Sequence, residues 1–293
     1  MVYGSAVELF DEMLGIEISA PQIQRVCNHY GNAIDPLIKA NCESVIPRLG
    51  GGKDQDKVYV MVDGSMVYTR DNKWRELKLG RLFRDSQVVD IHKGRRQVMD
   101  SVYVSHLGSV EEFFPKFERH LVGYDKKVII GDGAKWIWNW VDDNYPGAVQ
   151  ILDFYHAKEK LVLFARHQYP EEEIRLAWIK RQADKLLDNG LEKVLSILKS
   201  CRARNSEAKL AKQKAIEYYL EHDDRMQYKT YLEQGLMIGS GPIEAAHRSV
   251  IQQRLKLSGQ KWSVYGVQAV ANLRCYRHSG VWNIIKKIIA AAA

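Results

Sequence analysis

The chain opens with a helical pattern of apolar residues. Over residues 1–48 they recur at helical spacing in two stretches that are separated near Gly15. Pro21 follows a Ser-Ala pair, which is typical of a helix start because proline fits the first helical turn. We therefore predict two short helices. They could form either a truncated helix-turn-helix or a plain helical hairpin. A glycine-rich, charged linker at residues 47–55 is expected to end this segment.

Short apolar runs typical of strands follow the linker. Val58–Val62, Met66–Arg70 and Trp74–Phe83 predict an antiparallel meander whose first strand ends at Asp63, in an Asp-Gly pair. The pattern then becomes helical over Val110–Leu121.

Two further apolar runs, Val128–Ile130 and Ala148–Leu152, are separated by a helical segment. Short apolar runs joined by helices are typical of buried parallel strands. Residues 161–234 are helical and strongly charged, and residues 235–280 add two more helices around a turn. We therefore predict a mixed α/β fold.

The amino-acid composition narrows the classes of protein to which the chain could belong. The 293 residues are 46% hydrophobic and 27% charged, which is typical of a globular chain of one to three domains. We find no uncharged apolar stretch near the roughly 20 residues that span a bilayer, and no basic-then-apolar leader. The four cysteines form no CxxC pair, so we expect reduced structural thiols in a cytosol.

The formal net charge of +7 is concentrated at one end of the chain. From Gly235 onward there are eight basic residues and a single acid, Glu244, while the preceding residues balance. A basic segment of this kind favours a polyanionic partner such as nucleic acid, although basic faces without a partner are common.

Asp63 and Asp132 are each placed directly after a predicted strand and beside glycines. Carboxyl ends of central strands face the ligand crevice of an α/β sheet, so the two carboxylates are expected to converge on Mg²⁺ or Mn²⁺. The alternative is that Asp-Gly merely forms a turn. Glu244 is the candidate third ligand, and its alternative role is to cap the helix that starts at Gly241-Pro242.

Three segments resemble the Kra-type bacterial insertion-sequence transposases, relatives of the Mutator superfamily: Val128–Trp138 (VIIGDGAKWIW), Ile151–Glu159 (ILDFYHAKE) and Gly235–Ser263 (GLMIGSGPIEAAHRSVIQQRLKLSGQKWS). The resemblance implies an RNase H-like mixed sheet core over residues 56–160 and 235–280, with a large helical insertion at 161–234. The predicted strand order agrees with such a core.

The resemblance implies a catalytic triad that holds two Mg²⁺ or Mn²⁺ ions and is formed by Asp63, Asp132 and Glu244. The implied function is a DDE-type transposase that cleaves and joins double-stranded DNA at the ends of its own element. Such a protein is expected to act as a homodimer or higher oligomer on DNA, in the bacterial cytoplasm and associated with the nucleoid.

Two other functions stay open: a truncated, noncatalytic DNA-binding relic, and another RNase H-like nuclease such as a junction resolvase. Members of the family generally carry a longer N-terminal region, whereas this chain begins within what resembles its last helices. Whether a truncation has removed recognition of the terminal repeats therefore stays open at this point.

Two accessory residues come from the same resemblance. Asp153 and His156 match a family pattern of Cys or Asp followed three residues later by His, which implies a role in ordering substrate. The alternative is that Asp153 caps a helix and His156 is a structural histidine.

The basic segment from Gly235 onward, which we call the basic tail, contains the candidates for DNA binding. Arg248, Arg254, Lys256 and Lys261 are predicted to contact phosphates, so that binding weakens with salt. Trp262 is predicted to stack on an unpaired base, and the alternative is a core aromatic residue that holds the turn.

Overall fold

The computed structural model describes residues 2–51, 56–92 and 95–291, so residues 52–55 of the predicted linker lie outside the described part. The chain forms two compact units. Unit 1 runs to Lys127 and resumes at Pro242, and unit 2 comprises Val128–Gly241.

The helices and strands follow in chain order. The helices are α1 (Tyr3–Leu14), α2 (Ala20–Lys39), α3 (Val110–Glu118), α4 (Lys135–Asn144), α5 (Phe154–Gln168), α6 (Glu172–Leu187), α7 (Leu191–Ser200), α8 (Ser206–Glu221), α9 (Tyr228–Glu233), α10 (Gly241–Ala246), α11 (Gln253–Leu255), α12 (Val264–His278) and α13 (Trp282–Ala291). The strands are β1 (Val58–Tyr68), β2 (Trp74–Arg84), β3 (Val88–His92), β4 (Arg95–Val98), β5 (Val102–Leu107), β6 (Lys127–Gly131) and β7 (Val149–Leu152). A π-helix, His247–Gln252, joins α10 to α11.

The N-terminal segment is helical, as the sequence predicts. α1 ends at Gly15, whose φ of 59° is in the left-handed region that favours glycine. A capping box between Ser19 and Gln22 closes the start of α2. α2 packs against α12, and its buried Ile34 and Ile38 belong to one apolar cluster with residues of α12 and α13. α2 is therefore a core helix of unit 1.

Three antiparallel strands form the sheet of unit 1. β1 pairs with β2 from Val58↔Arg84 to Tyr68↔Trp74, and β2 pairs with β5. Gly80 of β2 is needed at its position because the ring of Phe117 occupies the space that a Cβ atom would fill. This close approach seats α3 on the sheet, as its apolar face predicts.

The meander differs from the prediction in two places. β1 does not end at Asp63, because Asp63 and Gly64 continue the ladder opposite Leu79 and Lys78. The two predicted runs are consequently one long strand. The third strand is β5, which the sequence prediction missed.

Unit 2 begins with a parallel pair of strands. β6 pairs with β7 in register from Val128↔Val149 to Gly131↔Leu152, and α4 connects them. The prediction of buried parallel strands with a helical crossover is therefore confirmed. Within unit 2, the chain is helical from α5 to α9.

The protein is thus a mixed α/β protein: unit 1 contains the antiparallel sheet of β5, β2 and β1, and unit 2 begins with the parallel pair of β6 and β7. The structure bears out the α/β class predicted from the apolar runs. Across the described ranges, the helices lack the combination of length and apolarity that crossing a membrane requires.

Candidate functional site

Asp63 lies within strand β1 in unit 1. Its Oδ1 atom accepts a hydrogen bond from the backbone N–H of Gly64 at 2.7 Å. Its side chain is 39% exposed, although its neighbours along the strand are mostly buried. The position therefore presents a carboxylate at the surface of an otherwise apolar strand.

Glu244 lies in the first turn of α10, and its side chain is exposed. The start of this helix is anchored by Arg81 of β2, whose guanidinium donates to the carbonyl of Pro242 at 2.6 Å. Arg81 is 6% exposed and also donates to Ser101. A buried guanidinium needs such acceptors, so the anchor fixes the glutamate helix on the sheet of unit 1.

The π-helix that follows α10 brings His247 next to Asp63. His247 Nε2 lies 3.3 Å from Asp63 Oδ2, both within unit 1. Glu244 precedes His247 by three residues, in the short helix α10 that leads directly into this π-helix. π-Helical turns inside longer helices are frequent at functional sites. Asp63 and the helix of Glu244 are therefore neighbours.

The π-helix is itself held by a cation of the tail. Arg274 of α12 donates to the carbonyl oxygens of Val250, at 2.6 Å, and Ser249. Widened helical turns leave carbonyl groups that need donors. Arg274 therefore stabilises the segment that carries His247.

His247 is 3% exposed, and neither ring nitrogen makes a hydrogen bond with the described residues. Burial lowers the pKa of this histidine to about 4. The ring is consequently neutral at pH 7, and its contact with Asp63 is not an ion pair. The sequence prediction missed His247, although its spacing after Glu244 could have suggested it.

Asp132 lies in unit 2 and directly follows β6, as predicted. Its Oδ1 atom accepts from the N–H of Ala134 at 2.9 Å, and its carbonyl accepts from the indole N–H of Trp138 at 2.6 Å. The ring of Tyr218 occupies the space beside Gly133 that a Cβ atom would fill. The loop that carries Asp132 is therefore held from both sides.

Tyr218 is a second residue that the sequence prediction missed. Its hydroxyl oxygen is buried without a hydrogen-bond partner among the described residues. Burial raises the pKa of the phenol, and the negative charges of Asp132 and Asp153 raise it further. The neutral phenol is thus part of the surroundings of both aspartates in unit 2.

Asp153 is fully buried and caps helix α5. Its Oδ1 accepts from the N–H of His156 at 2.8 Å, and its Oδ2 accepts from the N–H of Ser240. These bonds lower the pKa of Asp153 against the opposing effect of burial. The structure therefore shows the capping role that was the alternative for Asp153.

His156 is paired with the same aspartate. Its Nδ1 lies 3.4 Å from Asp153 Oδ1, and the side chain is 36% exposed. The contact with Asp153 raises the pKa of His156 to about 9. His156 is therefore an imidazolium at neutral pH, and its side chain is partly accessible to solvent.

We expect the free energy of unfolding to decrease as the pH rises from about 6.5 to about 9. The folded-state pKa lies above the ordinary value of 6.5, so the charged ring stabilises the fold fully below pH 6.5. That contribution is lost as the pH rises through 9. Because the ring is partly exposed, we expect about 1 kcal/mol after screening. Urea unfolding at both pH values would measure it.

His156→Gln should remove this pH-dependent contribution to the free energy of unfolding. The difference in the free energy of unfolding between the variant and the unmodified protein should therefore become smaller as the pH rises. His167→Gln, in the same helix, is the matched control. A His156→Gln difference that is the same at both pH values would contradict the ion pair.

The predicted DNA-binding residues divide into two groups. Arg248, Lys256 and Lys261 are exposed, whereas Arg254 and Trp262 are each 6% exposed. The Arg254 guanidinium stacks 4.5 Å from the ring centre of Trp262 and 4.6 Å from that of Tyr3. This burial corrects the prediction for Arg254 and Trp262, which form a packed cation–π stack inside unit 1.

No group of three His, Cys, Asp or Glu side chains within residues 2–51, 56–92 and 95–291 is arranged to hold a metal ion. The donors that the structure brings together in unit 1 are Asp63 and the helix of Glu244, with His247 beside them. Asp132 has its own surroundings in unit 2.

Comparison with known families matches residues 40–286 to one uncharacterised protein family, UPF0236. The chain belongs to this family. The match includes β1, β6 and α10, so all three predicted triad residues lie inside it. No curated protein and no solved structure matches the chain.

Proposed function

We propose that this UPF0236 protein is a DDE-type DNA transposase with an RNase H-like core, which cuts and joins DNA at the ends of its own insertion sequence. The contact between His247 and Asp63 carries the proposal, since it sets the helix of Glu244 beside the strand of Asp63. The position of Asp132 directly after β6 supports it. The resemblance of three segments to Kra-type transposases supplies the reaction class.

The donor chemistry of Asp63, Asp132 and Glu244 fits Mg²⁺ or Mn²⁺, because both ions prefer carboxylate oxygens. Asp63 is accessible to a hydrated ion, and the neutral ring of His247 adds no positive charge that would repel it. When bound, two ions would activate water or a 3′-hydroxyl and stabilise the leaving oxygen.

The chain's own residues would do the remaining work. Arg81 holds the glutamate helix on the sheet, and Gly64 and Ala134 orient Asp63 and Asp132 through their backbone N–H groups. Exposed Arg248 would contact a phosphate of the double-stranded DNA. We also propose that two or more copies pair the element's ends on the nucleoid, in the bacterial cytoplasm.

A cleavage assay with the element's own DNA tests this function. The full chain is incubated with labelled duplexes copied from the DNA on both sides of its gene, where the proposal places the inverted repeats of the element, in Mg²⁺, Mn²⁺ or EDTA. Cleavage at the repeat ends and joining to a target duplex are expected with either metal, and neither with EDTA.

The alternatives give different results in this assay and in a parallel assay with four-way junctions. Binding without cleavage in either metal would identify a noncatalytic relic. Cleavage of four-way junctions without joining would identify a resolvase-type nuclease. Either result would overturn the proposal of a transposase.

A further inference from the structure

A cleft in unit 1 lies between the β1–β2 hairpin and the turn that follows α11. We call it the hairpin cleft, and its lining comprises Tyr68, Trp74, Leu255, Lys256, Gly259 and Lys261, among others. Its volume of about 520 Å³ is within the range of ligand-binding pockets, roughly 300–1,000 Å³. The functional site described above uses none of these side chains as a metal ligand.

Backbone hydrogen bonds hold the two walls of the hairpin cleft together. The N–H of Arg70 donates to the carbonyl of Trp262 at 2.8 Å, and Thr69 forms a β-bridge with Trp262. The buried side chain of Trp262, stacked on Arg254, anchors the turn from below. The shape of the hairpin cleft is therefore fixed by backbone hydrogen bonds and packing within unit 1.

One wall presents an exposed aromatic surface. Trp74 is 62% exposed, and its ring lies 5.1 Å from that of Tyr68 at an angle of 51°. An indole ring that is exposed to water lacks the stabilisation that this side chain usually gains from burial. Exposed aromatic rings of this kind favour a stacking partner, and every nucleobase offers a flat face for one.

Cations form the opposite wall. The Lys261 ammonium lies 5.3 Å from the ring centre of Tyr68 and donates to Asn72, and Lys256 donates to the hydroxyl of Ser65 at 3.1 Å. Both lysines are otherwise exposed. The neighbouring acid, Asp71, is already paired with Arg75. The charge of the cleft is thus complementary to a phosphate.

We propose that the hairpin cleft binds an unpaired nucleotide of single-stranded nucleic acid, with the base stacked on Trp74 and its phosphate held by Lys256 and Lys261. The stacking role predicted for Trp262 is thereby assigned to Trp74. Ser65 is two residues beyond Asp63, about 7 Å along the strand. For its place in the reaction this inference rests on the proposed function, since it sets an unpaired nucleotide beside the carboxylate that would cut DNA.

Binding of a short fluorescein-labelled oligo(dT), measured by anisotropy in EDTA, tests the cleft apart from catalysis. We expect Trp74→Ala to weaken binding about 10-fold. Trp74→Phe, which keeps a ring, should bind nearly as well as the unmodified protein. The control is Tyr265→Ala, which removes an exposed aromatic ring outside the cleft.

The role of Lys256 and Lys261 is tested by the salt dependence of oligo(dT) binding. Lys256→Gln with Lys261→Gln should flatten the dependence of log affinity on log salt by about 1.4, at roughly 0.7 per lost phosphate contact. The double variant Lys286→Gln with Lys287→Gln, on α13, should leave that slope unchanged.

Unchanged oligo(dT) affinity in Trp74→Ala, with an unchanged melting temperature, would overturn the proposal. So would equal loss of affinity in Tyr265→Ala. The binding assay contains EDTA and is therefore independent of catalysis. Binding that depends on Trp74 in EDTA, together with no DNA cleavage in Mg²⁺ or Mn²⁺, would count against the transposase only. Metal-dependent cleavage without such binding would count against the cleft only.

Discussion

Replacing Asp63, Asp132 or Glu244 by its amide is expected to lower metal-dependent DNA cleavage by about 1,000-fold, equivalent to about 4 kcal/mol of barrier. An amide keeps the size of the side chain but loses the negative charge that a hard divalent ion requires. Asn at position 63 or 132 can still accept the backbone hydrogen bond that now orients the aspartate. The fold should therefore survive each substitution, and the cleavage rate of the repeat-end duplex measures the loss.

Two comparisons make this result specific. Glu12→Gln removes an exposed carboxylate on α1, outside the region shared with the family, and should cleave at the unmodified rate. Binding of oligo(dT) in EDTA should persist in all three amide variants. A single variant with full cleavage activity removes that residue from the triad, and full activity in all three removes the triad itself.

Replacing Asp35 by alanine is expected to lower the free energy of unfolding of unit 1 by about 3 kcal/mol, because it leaves a buried ammonium without its counter-ion. Lys116 of α3 is 6% exposed and donates to Asp35 at 2.5 Å, to the carbonyl of Ser105 at 2.8 Å and to Asn272 at 3.0 Å. These bonds tie α2, α3, β5 and α12 together. Urea unfolding followed by circular dichroism measures the change.

A double variant separates this charge effect from a general loss of packing. Lys116→Met removes the ammonium, and Gln268 still donates to both Ser105 and Asn272 afterwards. Asp35→Ala with Lys116→Met should therefore be more stable than Asp35→Ala alone. Asp184→Ala breaks the exposed pair with Lys180 and should cost less than about 0.5 kcal/mol. A double variant less stable than Asp35→Ala would show that the charge is not the cause.

The sequence indicated the elements whose determinants are local. The start of α2 at Ser19 was predicted, and the cap at Asp153 was the alternative role for that residue; both use hydrogen bonds between residues three apart. The strand that precedes Asp132 was equally recognisable, since a short apolar run between polar residues is typical of a buried strand. These features need no knowledge of distant residues.

The errors occurred where distant partners decide the outcome. Asp63-Gly64 is a common turn pair, yet β2 supplies a partner for each residue of β1, so the strand continues. Strand β5 was missed because its short segment shows no regular alternation of apolar and polar residues, and it is fixed by pairing with β2. The contact of His247 with Asp63 depends on the π-helix and on its support by Arg274.

By itself, the sequence determined the α/β class, the helix starts and the position of Asp132 after a strand, because caps and periodicity are set by neighbours along the chain. Only the tertiary structure decided which tail residues are exposed. Trp262 and Arg254 stack with Tyr3, from the opposite end of the chain, whereas Trp74 and Lys261 stay at the surface. Burial depends on residues that meet only after folding, and for that reason composition and spacing could not separate an exposed aromatic residue from a core residue.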